Sequence, residues 1–286
     1  MPLMTVKEIL TPVSSGWAVG AFNVHNLEDV QAVVNAADEL EAPVIIMVSE
    51  SALNYAGADF IRSIVATAAK RVQIPIALQL DHGKSLETVK RSIQAGFTSV
   101  MIDGSYLSFE DNVALTRQIV EYAHQHGCSV EGELGKIGGK EDDLLVEDAD
   151  ARFTDPGKVE RFILETGIDV LAPAVGTAHG LYKGEARIDF PRLQAIRQAT
   201  KVPLALHGGS DLSDEIIKEI MRSGVEKINV GTDLKIAITS GIKDYLSNNP
   251  EEIEPRKVFG AGRERGTRLV MEKMRLFECV GKASLY

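Results

Sequence analysis

Cysteine is nearly missing from this sequence. Its 286 residues hold two, Cys128 and Cys279, too few for a disulfide framework or a thiolate zinc cluster. Both read as small buried apolar residues in a reducing compartment. A surplus of basic charge is missing too. The formal net charge is −10, which argues against nucleic acid as a partner, because broad phosphate binding needs a basic face. A small phosphorylated ligand stays open, since it needs only a local site. No apolar run approaches the ~18 residues of a membrane span. The segment from Met1 to Leu10 lacks the apolar core of a signal peptide. We therefore expect a cytoplasmic protein with no membrane contact. Low-complexity stretches and Pro/Gly/Ser-rich linkers are also missing. With 44% hydrophobic residues the chain can fill one full core, and a single domain over 1–286 is expected.

Short apolar runs alternate with amphipathic stretches of about 10–18 residues, the pattern of repeated β-α units on a parallel sheet. Eight runs qualify: 17–23, 43–49, 75–80, 98–102, 129–133, 169–172, 203–206 and 226–230. Helices are expected near 27–41, 57–71, 86–95, 109–126, 156–166, 190–200, 214–223 and 234–247. Eight units in about 250 residues fit a closed (β/α)8 (TIM) barrel better than an open sheet. The fold class is α/β, with 255–277 as an extra C-terminal helix. Two connectors, 134–153 and 173–189, are long and contain glycine, which marks them as candidate lids.

The chain is organised around 77–85, an apolar-leaning strand that ends in Asp81, His82 and Gly83. In such a barrel the carboxyl ends of strands carry the chemistry. The chain has six histidines. His82 follows strand three, His179 lies in Gly176-Thr-Ala-His179-Gly180 after strand six, and His207 follows strand seven. Three imidazoles on one rim with an open fourth position make a catalytic zinc site. His124 and His126 end the helix after strand four, where cations suit the carbonyl end of the dipole, and read as structural. His25 reads as a turn or substrate-side residue.

Asp103 ends strand four. Glu131 and Glu133 alternate on strand five and so face one side. Such carboxylates orient ligand imidazoles or hold a second cation; a polar cap over the barrel mouth is the alternative. Gly208-Gly209-Ser210 follows strand seven, and Asn229-Val230-Gly231-Thr232 ends strand eight. Loops after strands seven and eight commonly form a phosphate site in this fold, holding an anion on backbone N–H groups. A Schiff-base lysine is not offered at the rim, since Lys227 lies early in strand eight.

The motifs around Asp81, His179, His207 and Asn229, with Ala21-Phe22-Asn23 and Glu133-Leu-Gly135…Gly138-Gly139-Lys-Glu141-Asp142, resemble the class II, zinc-dependent ketose-bisphosphate aldolases. That family includes the fructose- and tagatose-1,6-bisphosphate enzymes. The resemblance runs from near residue 5 to the C-terminus. It implies that His82, His179 and His207 hold a catalytic Zn2+. It makes Asp81 the acid/base at the C4 hydroxyl and Glu141 a proton-transfer group at C3. Asp103 and Glu133 match positions that take a second cation, divalent or monovalent, in some relatives. Gly180, Gly208 to Ser210 and Asn229 to Thr232 would hold the dihydroxyacetone-phosphate half. Asn23 and Ser49 would lie on the substrate side, Ser49 near a phosphate.

The implied reaction is cleavage of tagatose or fructose 1,6-bisphosphate to dihydroxyacetone phosphate and glyceraldehyde 3-phosphate, in a homodimer or homotetramer. The Gly-Gly-Lys-Glu-Asp wording leans towards the tagatose-like subgroup. Another ketose 1-phosphate, a deoxy-ketonate phosphate, or a role as non-catalytic companion subunit are the alternatives. The family turn after strand seven usually reads Gly-Ser-Gly or Ala-Ser-Gly, whereas here it is Gly209-Ser210-Asp211. The favoured reading has Asp211 open the next helix as part of an acidic first turn; the rival has its charge weaken phosphate binding. Arg263, Arg265 and Arg268 on the tail helix either grip the acceptor end or, as favoured, lie solvated.

Overall fold

Strand β2 (Val44–Ser49) reads Val-Ile-Ile-Met-Val-Ser, and all of it is buried. A run of β-branched residues hidden on both faces belongs in a parallel sheet covered by helices. The same burial holds for β1 (Val19–Asn23), β3 (Ile76–Gly83), β4 (Ser99–Ile102) and β5 (Ser129–Leu134). It holds again for β8 (Val170–Pro173), β10 (Ala205–Leu206) and β11 (Lys227–Val230). These eight strands pair in parallel in the order β10-β11-β1-β2-β3-β4-β5-β8. A parallel bridge between Leu171 and Leu204 joins the two outer strands, and Leu171 N–H donates to Pro203 O at 2.9 Å. The sheet is rolled into a barrel that meets at this seam. The computed structural model describes all residues except 1, 2, 15, 142, 143, 147–151, 183 and 185, and no side chain at 140, 141 or 144–146.

Helices follow the strands and carry their own start signals. Asn26, Ser85, Ser108 and Ser213 cap α2 (Leu27–Glu39), α5 (Leu86–Ala95), α6 (Phe109–Gln125) and α9 (Asp214–Arg222), each accepting a backbone N–H of the first turn. Asp155 and Asp189 cap α7 (Pro156–Thr166) and α8 (Phe190–Ala199), both with proline in the first turn. Helix α10 (Thr232–Asn248) follows β11, and α11 (Pro255–Leu276) packs on α10 and α2. The expected C-terminal helix is thus present.

Four features depart from the expectations. A short helix, α1 (Val6–Leu10), carries a capping box between Thr5 and Glu8 and closes the amino end of the barrel. Val6 N–H donates to Ser99 Oγ at 2.8 Å, at the start of β4. The helix expected over 57–71 is present as α4 (Ala58–Ala69), but an unexpected short helix, α3 (Glu50–Ala56), precedes it, the two separated at Gly57, which has φ 85. Strand β3 runs on through Asp81, His82 and Gly83 instead of ending at Leu80. Most consequential, the two long connectors are not independent loops. Strands β6 (Gly138–Glu141) and β7 (Leu144–Val146) form an antiparallel hairpin. Strand β9 (Ala178–His179), from the other connector, pairs in parallel with β6.

Candidate active site

Three of the six histidines come together at the carboxyl ends of the strands. His82, His179 and His207 are 6%, 7% and 0% exposed, and their ligating atoms lie within 4.8 Å of one another. His82 Nε2 faces His207 Nδ1 at 2.9 Å. The rings stand nearly perpendicular, with centroids 4.7 to 5.7 Å apart. A different device aims each ring. The β3–β4 register shifts between Leu80 and Gly83, and His82 itself has φ 46. A bulge with a left-handed residue turns the imidazole inward, strain that is accepted at functional sites. His179 is held by β9 against β6, where a Cβ on Gly139 would lie 2.2 Å from His179 O; only glycine allows that approach. His207 directly follows β10, and its Nε2 lies 2.7 Å from Glu131 Oε1.

Carboxylates surround this cluster. His82, Asp103 and Glu133 form a second group with ligating atoms within 4.8 Å. Asp103 Oδ2 is 3.4 Å from His82 Nδ1, and Ser105 N–H donates to Asp103 Oδ1 at 2.9 Å. Burial pushes the Asp103 carboxyl up, but the His82 and Ser105 contacts outweigh it and hold the group well below the usual carboxylate range. Glu133 moves the opposite way. Burial, then repulsion from Asp103, raises it well above its ordinary value. The two neighbouring carboxyls are thus shifted in opposite directions, by repulsion between them and by their different hydrogen bonds. Asp81, fully buried, accepts the side-chain N–H of Asn23 at 2.7 Å. Three imidazole nitrogens backed by acidic side chains suit a divalent ion such as zinc, and the second group suits a harder cation.

A cleft adjoins the triad. Asn23, His179, Gly180, Gly208, Ser210, Asn229, Gly231, Thr232 and Lys235 line it. Gly208 has φ 68, and a Cβ there would lie 2.3 Å from Ala178 O. Helix α10 starts at this cleft from Gly231, which has no side chain to cap it; Asp233 N–H donates to Ser210 Oγ at 3.2 Å, and the N-terminal dipole is directed at the cleft, where it suits an anion. Tyr182 ties the cleft together: its phenol donates to Gly208 O at 2.9 Å and accepts Ala178 N–H at 3.0 Å.

A family model for fructose-bisphosphate aldolase class II matches residues 4–282. This chain belongs to the class II fructose-bisphosphate aldolase family. The fructose-bisphosphate aldolase of Geobacillus stearothermophilus is 44% identical over 99% of this chain and 100% of its own length. The probable fructose-bisphosphate aldolase of Bacillus subtilis (strain 168) is 44% identical over 97% and 98%. Among solved structures, the YdjI aldolase of Escherichia coli K12 superposes with a TM-score of 0.86 at 29% identity, covering 98% of this chain and 99% of that one. Class II aldolases are carbon–carbon lyases that act on small phosphorylated sugars, and this aldolase has the barrel and the metal-competent cluster such chemistry needs.

Other expected residues are not in the cleft lining. Gly209 N–H is held by Asn229 O at 3.0 Å, and Val230 pairs with Phe22 in the sheet. Neither lines the cleft. Ser49 caps α3 and pairs with Asp81 across β2 and β3, which sets it beside the acid. Asp211 does not open the next helix, because Ser213 is that cap and α9 starts at Asp214. Instead Asp211 has φ 60 and its carboxylate accepts Tyr182 N–H at 3.0 Å. The Glu141 side chain, and all of Asp142, lie outside the described part. Arg263 donates to Gln31 Oε1 at 2.6 Å and Arg265 pairs with Asp244, contacts on the helical outside of the barrel. His124 pairs with Asp169 at 2.7 Å, and His25 with Asp29 at 2.9 Å.

The sequence reading gave no positive role to Gln79 or Lys227, the latter weighed only as a Schiff-base lysine, and passed over Tyr182 and Lys235. A signal existed for the first two. Gln79 and Asp81, Glu131 and Glu133, Lys227 and Asn229 each alternate by two, the period that sends polar side chains to one face of a strand. Nothing local marked Tyr182, whose partners come from the turns around it.

Proposed function

We propose that this aldolase reversibly cleaves a ketose 1,6-bisphosphate of fructose or tagatose configuration between C3 and C4. The products would be dihydroxyacetone phosphate and glyceraldehyde 3-phosphate. The observation that carries this is the convergence of His82, His179 and His207 beside the buried carboxylate of Asp81. In this reading those histidines hold Zn2+, which supplies a Lewis acid for the negative charge that develops on the donor. Asp103 and Glu133, with His82, offer a place for a second divalent or monovalent cation.

The chain's own groups divide the remaining work. Asp81 takes the proton of the C4 hydroxyl in cleavage and returns it in condensation. Asn23 fixes that carboxylate in orientation through its 2.7 Å bond. Glu141 moves the proton at C3. Gly180, Gly208, Ser210, Asn229, Gly231 and Thr232 would grip the donor phosphate, with the N-terminus of α10 behind them. Gly209 and Val230 support those backbones from the sheet, and Ser49 stands beside the acid. Phosphate anchorage away from the reacting carbons supplies orientation. A Schiff-base route finds no support, because Lys227 is buried and donates to Glu131 at 2.7 Å. A cytoplasmic homodimer or homotetramer is part of the same proposal.

The test is cleavage of both bisphosphates by the isolated chain with zinc, read by release of dihydroxyacetone phosphate. Chelation should abolish turnover and zinc restore it, with no borohydride trapping. Turnover that survives chelation, or a trapped lysine adduct, would overturn the proposal.

A further inference from the structure

Beneath the triad the barrel interior is polar where bulky branched apolar side chains usually fill it. Lys227 on β11 and Glu131 on β5 are 0% and 1% exposed. Lys227 Nζ donates to Glu131 Oε2 at 2.7 Å, and Gln79 Nε2 donates to the same oxygen at 2.9 Å. The other oxygen, Oε1, lies 2.7 Å from His207 Nε2. Strands β11 and β5 are not neighbours in the sheet, so this relay crosses the barrel. A buried ion pair is weak evidence for stability, because packed apolar side chains of similar volume do as well or better. The relay therefore calls for a role other than stability.

The geometry points to Lys227 as a positioning residue for the metal site. It anchors one oxygen of Glu131, so that the other stays aimed at His207 Nε2. A carboxylate acceptor there needs the ring proton on Nε2. Nδ1 is then the bare nitrogen, and Nδ1 is the atom that faces His82 at 2.9 Å. Lys227 touches neither substrate nor metal ligand. It acts two bonds away, by fixing which nitrogen of His207 is offered. The inference rests on the reading of His82, His179 and His207 as zinc ligands.

The test is the zinc dissociation constant of the full chain, measured by competition with a chromophoric chelator. Wild type, Lys227→Met and the double variant Lys227→Met/Glu131→Gln are compared. Lys227→Met leaves Glu131 as an uncompensated buried carboxylate with one anchor lost. Partners behind a ligand histidine are typically worth about 10–100-fold in metal affinity, and a loss in that range is expected. The double variant removes both charges. Gln79 Oε1 has no hydrogen-bond partner among the described residues, so Gln79 can turn over to accept the new amide. The amide oxygen at 131 still accepts from His207, and zinc affinity is expected to recover to within about fivefold of wild type, a strong positive coupling.

Unchanged affinity in Lys227→Met would overturn the proposal. So would a double variant as weak as the single, the result for a lysine that merely fills space. If Lys227→Met does not fold, imidazole 15N shifts of the zinc-loaded wild type carry the test. His207 metallated at Nδ1 with its proton on Nε2 supports the relay; the reverse overturns it. A wild type that binds no zinc would sink the metal reading itself, and the wild-type titration tells the two failures apart.

Discussion

Asn23 and Asp81 stand 58 residues apart in sequence, and the side-chain amide of the first donates to the carboxylate of the second at 2.7 Å. Both are buried at the carboxyl ends of β1 and β3. The bond crosses β2, so it forms only inside a rolled sheet. It leaves the acid oriented next to His82, its chain neighbour. Asp81→Asn should therefore lower kcat by about 10²–10⁴-fold while the zinc content stays that of wild type. Asn23→Ala should do the same more weakly, about tenfold, since it removes orientation and not the proton acceptor. Steady-state kinetics with metal analysis decides. An Asp81→Asn enzyme with undiminished kcat would remove the acid/base role.

Asp211 offers a backbone test. Its φ of 60 is a conformation that asparagine, aspartate and above all glycine tolerate, and other side chains resist by roughly 1–2 kcal/mol. Its carboxylate accepts Tyr182 N–H, and its own N–H lies 3.2 Å from Asp233 Oδ1. Asp211→Ala should lose the Tyr182 contact and add strain, about 2 kcal/mol in all. Asp211→Gly should lose the contact and relieve strain, and so cost about 1 kcal/mol or less. Chemical denaturation of the two variants checks the order. An alanine variant as stable as the glycine variant would contradict this account of the turn.

Tyr182 gives a dependence on pH. Burial raises its phenol to about 12; the Ala178 N–H lowers it in part and the Asp211 charge adds to the rise. The folded state thus favours the protonated phenol. That contribution to stability is complete below the ordinary value of 10.0 and is lost as pH rises through about 12. An ultraviolet titration of wild type against Tyr182→Phe should show one phenol ionising near pH 12 that the variant lacks. Because Tyr182 also holds Gly208 O, Tyr182→Phe should raise the donor KM about two- to tenfold with kcat little changed. A difference spectrum that titrates near pH 10 would show that the phenol is not held in this way.

The barrel was legible because its strands are buried on both faces and punctuated by helix caps. The expected helix starts near 86 and 156 are kept, capped by Ser85 and Asp155. Membership of the aldolase family was legible in motifs spread along the whole chain. Other features depended on distant pairing. β6 and β9 are short, and glycine opens the first, with partners 40 residues apart in sequence: Gly138 with Ala178 and Gly139 with His179. No local pattern announces such a sheet, so two connectors read as separate loops. The bulge that turns His82 inward arises from β3 meeting β4, not from residues near His82. Asp211 read as the opening of a helix because acids favour first turns; Ser213, two residues later, won as the better cap. Lys227 read as a misplaced Schiff-base lysine, yet its alternation with Asn229 was the visible sign that it faces the barrel interior.

In the proposed reaction three imidazoles from distant parts of the chain hold one zinc ion, and X-ray absorption at the zinc edge of the loaded wild-type protein reads that coordination. One zinc per chain is expected, with three imidazole nitrogens at about 2.0–2.1 Å, and loss of that signal on His179→Ala. Fewer than three imidazoles around the metal, or a spectrum that His179→Ala leaves unchanged, would contradict it.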